Sequence, residues 1–187
     1  PVKDDWRHFA ILACVLFGRS IIFYGLNTFL VLYWMHILKQ SNTSGSLALS
    51  VLFIVGATGT IIGGHLVDHI GAVKTIRFAF TIMPFLLLAF SLTKSVIVTS
   101  ALLLPIGMLI FIPYSAIVLL GQRYLPNQMG LASGVTLGLA ISIGGIATPF
   151  LGQVADATSL ITVFFILTAV ALIPMGAAYF IIEPTIK

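Results

Sequence analysis

Long apolar runs separated by short polar clusters make up almost the whole chain. Six runs can be read, at about 9–37, 44–66, 75–93, 96–120, 129–154 and 158–182. The breaks between them carry turn chemistry: Gln40-Ser41-Asn42, Asp68–Gly71, Thr93-Lys94, Pro126-Asn127-Gln128 and Asp156–Ser159. Most runs reach the ~20 residues that a helix needs to cross a bilayer. They are apolar throughout, whereas barrel strands alternate over ~10 residues, and in lipid only helices or closed barrels satisfy their own backbone. The pattern predicts an all-α membrane protein with six transmembrane helices. Residues 1–8 read as a linker, 9–182 as the six-helix unit and 183–187 as a tail.

Composition agrees. Hydrophobic residues make up 59% of the chain and charged residues 7%, with a mean hydropathy of +1.16. Soluble domains carry roughly 25% charged residues, so this chain cannot cover a soluble surface. The net charge of +4 is scattered, with no run of Lys or Arg, which argues against nucleic acid as a partner. Cys14 is the single cysteine and excludes an intrachain disulfide. No signal peptide pattern is present. The chain opens on Pro1 and the charged Lys3-Asp4-Asp5, so it is expected to continue a longer protein.

Basic residues assign an orientation. Lys3, Arg7, Lys74, Arg77, Arg123 and Lys187 fall on the side of the termini, Lys39 and Lys94 on the other. That bias places both termini in the cytoplasm, in a plasma (inner) membrane. Trp6 and Tyr33-Trp34 bracket the first run as interfacial aromatics would.

The second and fifth runs share a register. Gly56, Thr60, Gly64 and Asp68 recur as Gly144, Thr148, Gly152 and Asp156, each 88 residues later. Small residues four apart make a flat stripe that lets another helix approach. Three helices reverse direction, so a repeat of this length predicts two inverted three-helix units, an arrangement found in transporters. The competing reading is that Gly and Thr are simply common in membrane helices.

The segment Gly64-His65-Leu66-Val67-Asp68-His69-Ile70-Gly71 resembles the loop motif of the major facilitator superfamily, Gly-x-Leu-x-Asp-Arg-x-Gly followed by basic residues. Both glycines, Leu66 and Asp68 match, His69 replaces the family's basic residue, and Lys74 and Arg77 follow. The resemblance implies half of a twelve-helix fold. Six runs after a charged linker correspond to the C-terminal half, with an N-terminal six-helix half as its partner. Gly121-Gln122-Arg123-Tyr124-Leu125-Pro126, Gly130–Gly134 and Gly144-Gly145 make the chain similar to the fosmidomycin-resistance type of efflux transporter. That likeness implies a proton-coupled antiporter for antibiotic resistance, exporting a small organic molecule such as a fosmidomycin-like phosphonate. The family's exporter motif, Gly-x8-Gly-x3-Gly-Pro-x2-Gly-Gly, is met at Gly144, Pro149 and Gly152 but not at Val135, Thr148 and Gln153. These positions read as helix packing, with Pro149 as a bend.

Arg19 is the one strongly charged residue inside a run, where a charge costs at least ~2.5–3.5 kcal/mol. It reads either as a cationic anchor in a substrate cavity, or as half of an ion pair or a donor to carbonyls of a kinked helix. Tyr24, Asn27 and Tyr114 are further cavity candidates, with Ser115 and Gln122 as other polar groups and Pro105 and Pro113 as kinks in the fourth run. Gly64, Leu66, Asp68, Gly71, Lys74 and Arg77 form the conformational loop motif, either a charge latch or a solvated turn. The acids Asp4, Asp5, Asp68, Asp156 and Glu183 all fall at run ends or outside, so no proton carrier stands out. Asn42-Thr43-Ser44 matches a glycosylation sequon. No metal spacing, cofactor motif or catalytic constellation is found, and the reading is not an enzyme. Rival readings are solute uptake by the same fold and a non-transporting sensor or biosynthetic membrane subunit.

Overall fold

A computed structural model describes residues 3–184. Helices α1 (Trp6–His36), α2 (Asn42–Ile70), α3 (Ala72–Leu92), α4 (Val96–Tyr124) and α5 (Met129–Ala157) are each one continuous span. A 3-10 turn, Pro126–Gln128, joins α4 to α5. The sixth span is broken into α6 (Leu160–Val170) and α7 (Leu172–Ala178). Among the described residues six helical spans are long and apolar enough to cross a membrane, and there is no strand. The 31 residues of α1 make about 46 Å of helix at 1.5 Å each, close to a bilayer with its headgroups.

Local chemistry sets the boundaries. Asp5 caps α1 by accepting from the His8 amide at 3.1 Å and meets the His8 ring at 2.6 Å, so the helix begins ahead of the apolar run. Partial burial works to raise the Asp5 carboxyl, but the His8 amide and ring, with Arg7 nearby, hold it below its ordinary value. The cap is therefore fully effective above the usual carboxylate range and is lost as pH falls through that lowered value. Ser41 and Ser159 cap α2 and α6 in the same way. Between α2 and α3 there is one residue, Gly71, with φ +90°, a backbone conformation open to glycine.

That single-residue turn corrects one expectation. The loop motif is not a loop: Gly64, Leu66 and Asp68 lie on the last two turns of α2, Lys74 and Arg77 on the first two turns of α3. Only Gly71 is outside a helix, because its φ completes the reversal without further residues. The proposed tail begins at Glu183, which is held in the structure; residues 185–187, including Lys187, lie outside the described residues, as do Pro1 and Val2.

The six spans form two units, α1–α3 and α4–α7, that embrace each other. α2 packs on α4 as α5 packs on α1, and α3 on α4 as α6 and α7 on α1. Gly56 on α2 receives the ring of Phe111 on α4, and Gly144 on α5 receives the ring of Tyr24 on α1. The two glycines are 88 residues apart and the two aromatics 87. Since successive spans run antiparallel, the second unit is inverted relative to the first.

Two apolar clusters fill the interior. One, toward the α1–α2 turn, joins Leu26, Leu30, Leu52, Phe90 and Phe164. There Tyr33 donates to the carbonyls of Phe90 and Thr93 at 3.2 and 3.0 Å. The other joins Leu12, Leu16, Ile76, Phe80 and Tyr124 near the chain ends. Arg19 sits between them.

At the end of the bundle that carries the chain ends, α3 and α4 bind the segment after α7. Arg77 donates from Nε to Ala178 O (3.0 Å) and from Nη2 to Tyr179 O and Ile181 O (3.2 and 2.8 Å). Its guanidinium also lies 5.5 Å from the Tyr179 ring centroid. Glu183 accepts from the Val73 amide at 2.9 Å and lies 3.9 Å from Arg123, and the Tyr124 hydroxyl donates to Ile182 O. Arg77 thus satisfies carbonyls that a helix terminus leaves unpaired. Arg77→Ala is expected to destabilise the fold by about 2 kcal/mol, as bonds to a charged donor do. It should also raise hydrogen exchange at 178–183. Arg77→Lys should not restore either, because one ammonium lacks the planar fork that serves three carbonyls. Unchanged exchange in both variants would show that this clasp holds nothing.

Candidate functional site

A cationic side chain within a membrane span must find either polar partners or a cavity. Arg19 does both. It is 6% exposed, and its Nε donates to Ile110 O at 2.9 Å. Ile110 lies on α4 just before Pro113, whose missing N–H loosens the backbone ladder at this turn. The guanidinium lies 4.8 Å from the Tyr114 ring centroid and 5.8 Å from that of Phe23, a cation–π arrangement that gains strength away from water. Its two Nη nitrogens have no hydrogen-bond partner among the described residues.

Arg19 lines a cavity of about 320 Å³ bounded by α1, α2, α4 and α5. Ser20 lines it too, 1% exposed, with a buried Oγ that has no hydrogen-bond partner among the described residues. Phe23, Tyr24, Thr60 and Phe111 stand on the wall with Arg19 and Tyr114, and Leu137, Ala140 and Ile141 close it from α5. Phe111 and Tyr24 are the rings that lie on Gly56 and Gly144, so the repeated glycines set the width of the cavity. A larger cavity, about 450 Å³ between α1, α5 and α6, is lined by apolar side chains such as Phe17, Ile146 and Phe150. Nothing there could orient a ligand, since a binding site needs a few placed polar groups.

The structure brings Arg19, Tyr24 and Tyr114 together. Asn27 is half-buried, does not line the cavity and has no hydrogen-bond partner among the described residues. Ser115, half-buried, is one residue from Tyr114, and its buried Oγ also has no hydrogen-bond partner among the described residues. Gln122 bonds Ser133 across α4 and α5 at 3.0 Å. Sequence reasoning passed over Ser20, Thr60 and Phe111. Ser20 is the neighbour of Arg19 in the chain and Thr60 was in the repeated register, so both carried a signal.

The remaining candidates are scattered. Asp68 is exposed and has no ion-pair partner among the described residues, Lys74 is exposed, and Arg77 turns to the α7 terminus rather than to Asp68. Gly64 and Gly152 have open space around them within this chain, and Leu66 is half-buried. Pro149 is an exposed interior proline of α5, whereas Gly144 is closely packed. Among the described residues no cluster of three or more metal-ligating side chains occurs.

Comparison with known proteins gives consistent results. Residues 1–149 match the family model described as Major Facilitator Superfamily. The chain is 30% identical to the fosmidomycin resistance protein of Escherichia coli (strain K12) over 168 residues, covering 89% of this chain and 41% of that protein. It is 29% identical to the uncharacterized MFS-type transporter YfnC of Bacillus subtilis (strain 168), covering 76% of this chain and 32% of that protein. It therefore spans well under half the length of either relative. The crystal structure of the MFS transporter FucP in the outward conformation superimposes with a TM-score of 0.85 at 20% identity, over 95% of this chain and 43% of that one. At that identity the superposition shows the fold.

Proposed function

The chain belongs to the major facilitator superfamily, and we propose that it is the C-terminal six-helix half of a secondary transporter that exports a small organic molecule by alternating access. The observation that carries this reading is Arg19, a buried guanidinium whose two Nη nitrogens have no partner among the described residues, on the wall of a cavity shared by both three-helix units. An N-terminal six-helix half would pack against α5, which is largely exposed and whose Gly130, Gly134, Gly138 and Gly145 meet no side chain. Both ends of the segment lie in the cytoplasm in this reading, in a plasma membrane, as the Lys and Arg bias argues.

The name of the Escherichia coli relative makes a fosmidomycin-like phosphonate the first compound to test. Coupling to protons needs a titratable group within the membrane. Asp4, Asp5, Asp68, Asp156 and Glu183 do not line the cavity, so the carrier would come from the partner half. Asp68, exposed and without an ion pair among the described residues, would find its charge partner there too, as a latch that opens and closes the cytoplasmic mouth.

The test is extrusion from cells and uptake into everted vesicles carrying the whole gene, with and without an uncoupler. Fosmidomycin susceptibility should rise when the gene is deleted, and uncoupler should collapse vesicle uptake. Uncoupler-insensitive transport would remove the proton from the mechanism. Net accumulation by intact cells would reverse the direction to uptake.

A further inference from the structure

If the chain is half of a transporter, the walls of the Arg19 cavity restrict the class of molecule it can hold, and the restriction rests on that reading. The described residues place one cation, Arg19, and no carboxylate on its wall. The other described lysines, arginines and acids lie in helix end turns or in the segments that join and flank the helices. A ligand with two negative charges would leave one uncompensated at the level of the membrane, and a cation would face Arg19 unpaired. Both are costly in a low-dielectric site. Against the wall that this chain supplies, a single negative charge is balanced.

The hydrogen-bonding groups are also specific. The Arg19 Nη nitrogens offer donors in a planar fork, whose orientation the Nε bond to Ile110 O fixes in advance. On the same wall, Ser20, the next residue in the chain, carries a hydroxyl buried without a partner among the described residues. A buried hydroxyl of this kind is expected to be satisfied by something, and an acidic group bound to the Nη nitrogens would accept its hydrogen bond. Next to this polar corner the wall turns aromatic, with Tyr24, Phe111 and Tyr114. Such faces hold flat apolar groups.

We infer that the Arg19 cavity is a subsite for an organic monoanion, an acidic head on a flat apolar body. The head lies on the Arg19 Nη nitrogens and Ser20 Oγ, and the body lies in a slot whose width Gly56 and Gly144 set through Phe111 and Tyr24. Arg19 and Ser20 supply specificity for the head, and the two glycines set the size limit for the body.

The experiment is equilibrium dialysis on the whole transporter, purified in detergent with no gradient. The probes are 2-naphthoate, the neutral 2-naphthamide, the cationic 2-naphthylmethylamine, and methylphosphonate, an acid without an apolar body. Naphthoate should bind at least about tenfold more tightly than the amide or the amine, the scale of a charged hydrogen bond, and methylphosphonate should bind far more weakly. Arg19→Gln should bring naphthoate down to the level of the amide while leaving the amide where it was. Ser20→Ala should weaken naphthoate roughly three- to tenfold without lowering the thermal midpoint, because no protein bond is lost; this variant decides the matter if Arg19→Gln folds poorly. Gly144→Ala, whose methyl would meet the Tyr24 ring, should weaken all three naphthalene probes together. An amide that binds as well as the carboxylate, a ratio that survives Arg19→Gln, or methylphosphonate that equals naphthoate would each overturn the inference. Binding is read apart from transport, so intact naphthoate preference in a protein that moves nothing would condemn the transporter reading alone. Transport without that preference would condemn the subsite alone.

Discussion

Gly63→Ala is expected to destabilise the protein by about 1–3 kcal/mol, the usual cost of forcing atoms into a packed interface, whereas Gly64→Ala, one residue later, should be neutral or stabilising. A Cβ at Gly63 would fall against the Ile112 carbonyl on α4, with the peptide carbon behind it 2.9 Å away. One at Gly59 would meet Met108 O at 2.9 Å. The obstruction is backbone, which has no rotamer to take. Two helices would have to separate, and with them the wall that holds Phe111 against Gly56. A Cβ at Gly64 meets nothing within 4 Å in this chain, and alanine there gains up to ~1 kcal/mol of helix propensity. Thermal unfolding of the two variants in detergent, with the monodisperse fraction after membrane extraction, checks the contrast. If Gly64→Ala unfolded first, α2 would be packed on a different face from the one described.

That contrast also marks how far the sequence could be read. The spans were legible because apolar runs of this length have few other uses, and the repeat was legible because Gly56 and Gly144 kept their spacing through both units. The packing face of α2 was not. A stripe at four-residue spacing runs through Gly56, Thr60 and Gly64, but the close contacts with α4 run through Gly56, Gly59 and Gly63. At 3.6 residues per turn, steps of three and four both keep neighbours on one face, and only the partner helix chooses between them. The stripe still had meaning, since Thr60 faces the Arg19 cavity.

Distance along the chain hid the rest. Arg77 looked like the partner of nearby Asp68, yet it serves carbonyls 101 to 104 residues away. Glu183 looked like a tail residue and instead accepts from Val73, 110 residues back. Asn27 was a cavity candidate as a polar group inside the first run, but residue type cannot say where a cavity ends along the helix axis, and the cavity wall does not include it. Ser20 was overlooked for a different reason. A serine in an apolar run is commonly satisfied by its own helix, as Ser91 is by Leu87 O, and only coordinates reveal one that is not.

Arg19→Leu should lower transport by roughly ten- to a hundredfold in kcat/KM, the worth of charged hydrogen bonds made to substrate, while the protein still folds. Leucine removes an intramembrane charge that costs at least ~2.5–3.5 kcal/mol. It also fills similar volume between the two apolar clusters and leaves Ile110 O within an intact helix. Folding yield should therefore hold or rise as turnover falls, opposite to the outcome for a residue kept for structure. Arg19→Lys separates charge from geometry. An ammonium retains the cation, but as a compact charge it cannot hold Ile110 O and also present a planar pair of donors. Lysine should thus recover part of the binding of an anionic substrate without restoring the wild-type rate. Initial rates in proteoliposomes at matched protein content, alongside thermal midpoints, give both readings. If leucine and lysine variants both transported at the wild-type rate, Arg19 would be a buried tie between α1 and α4, and the cavity beside it would have to bind by its aromatic walls alone.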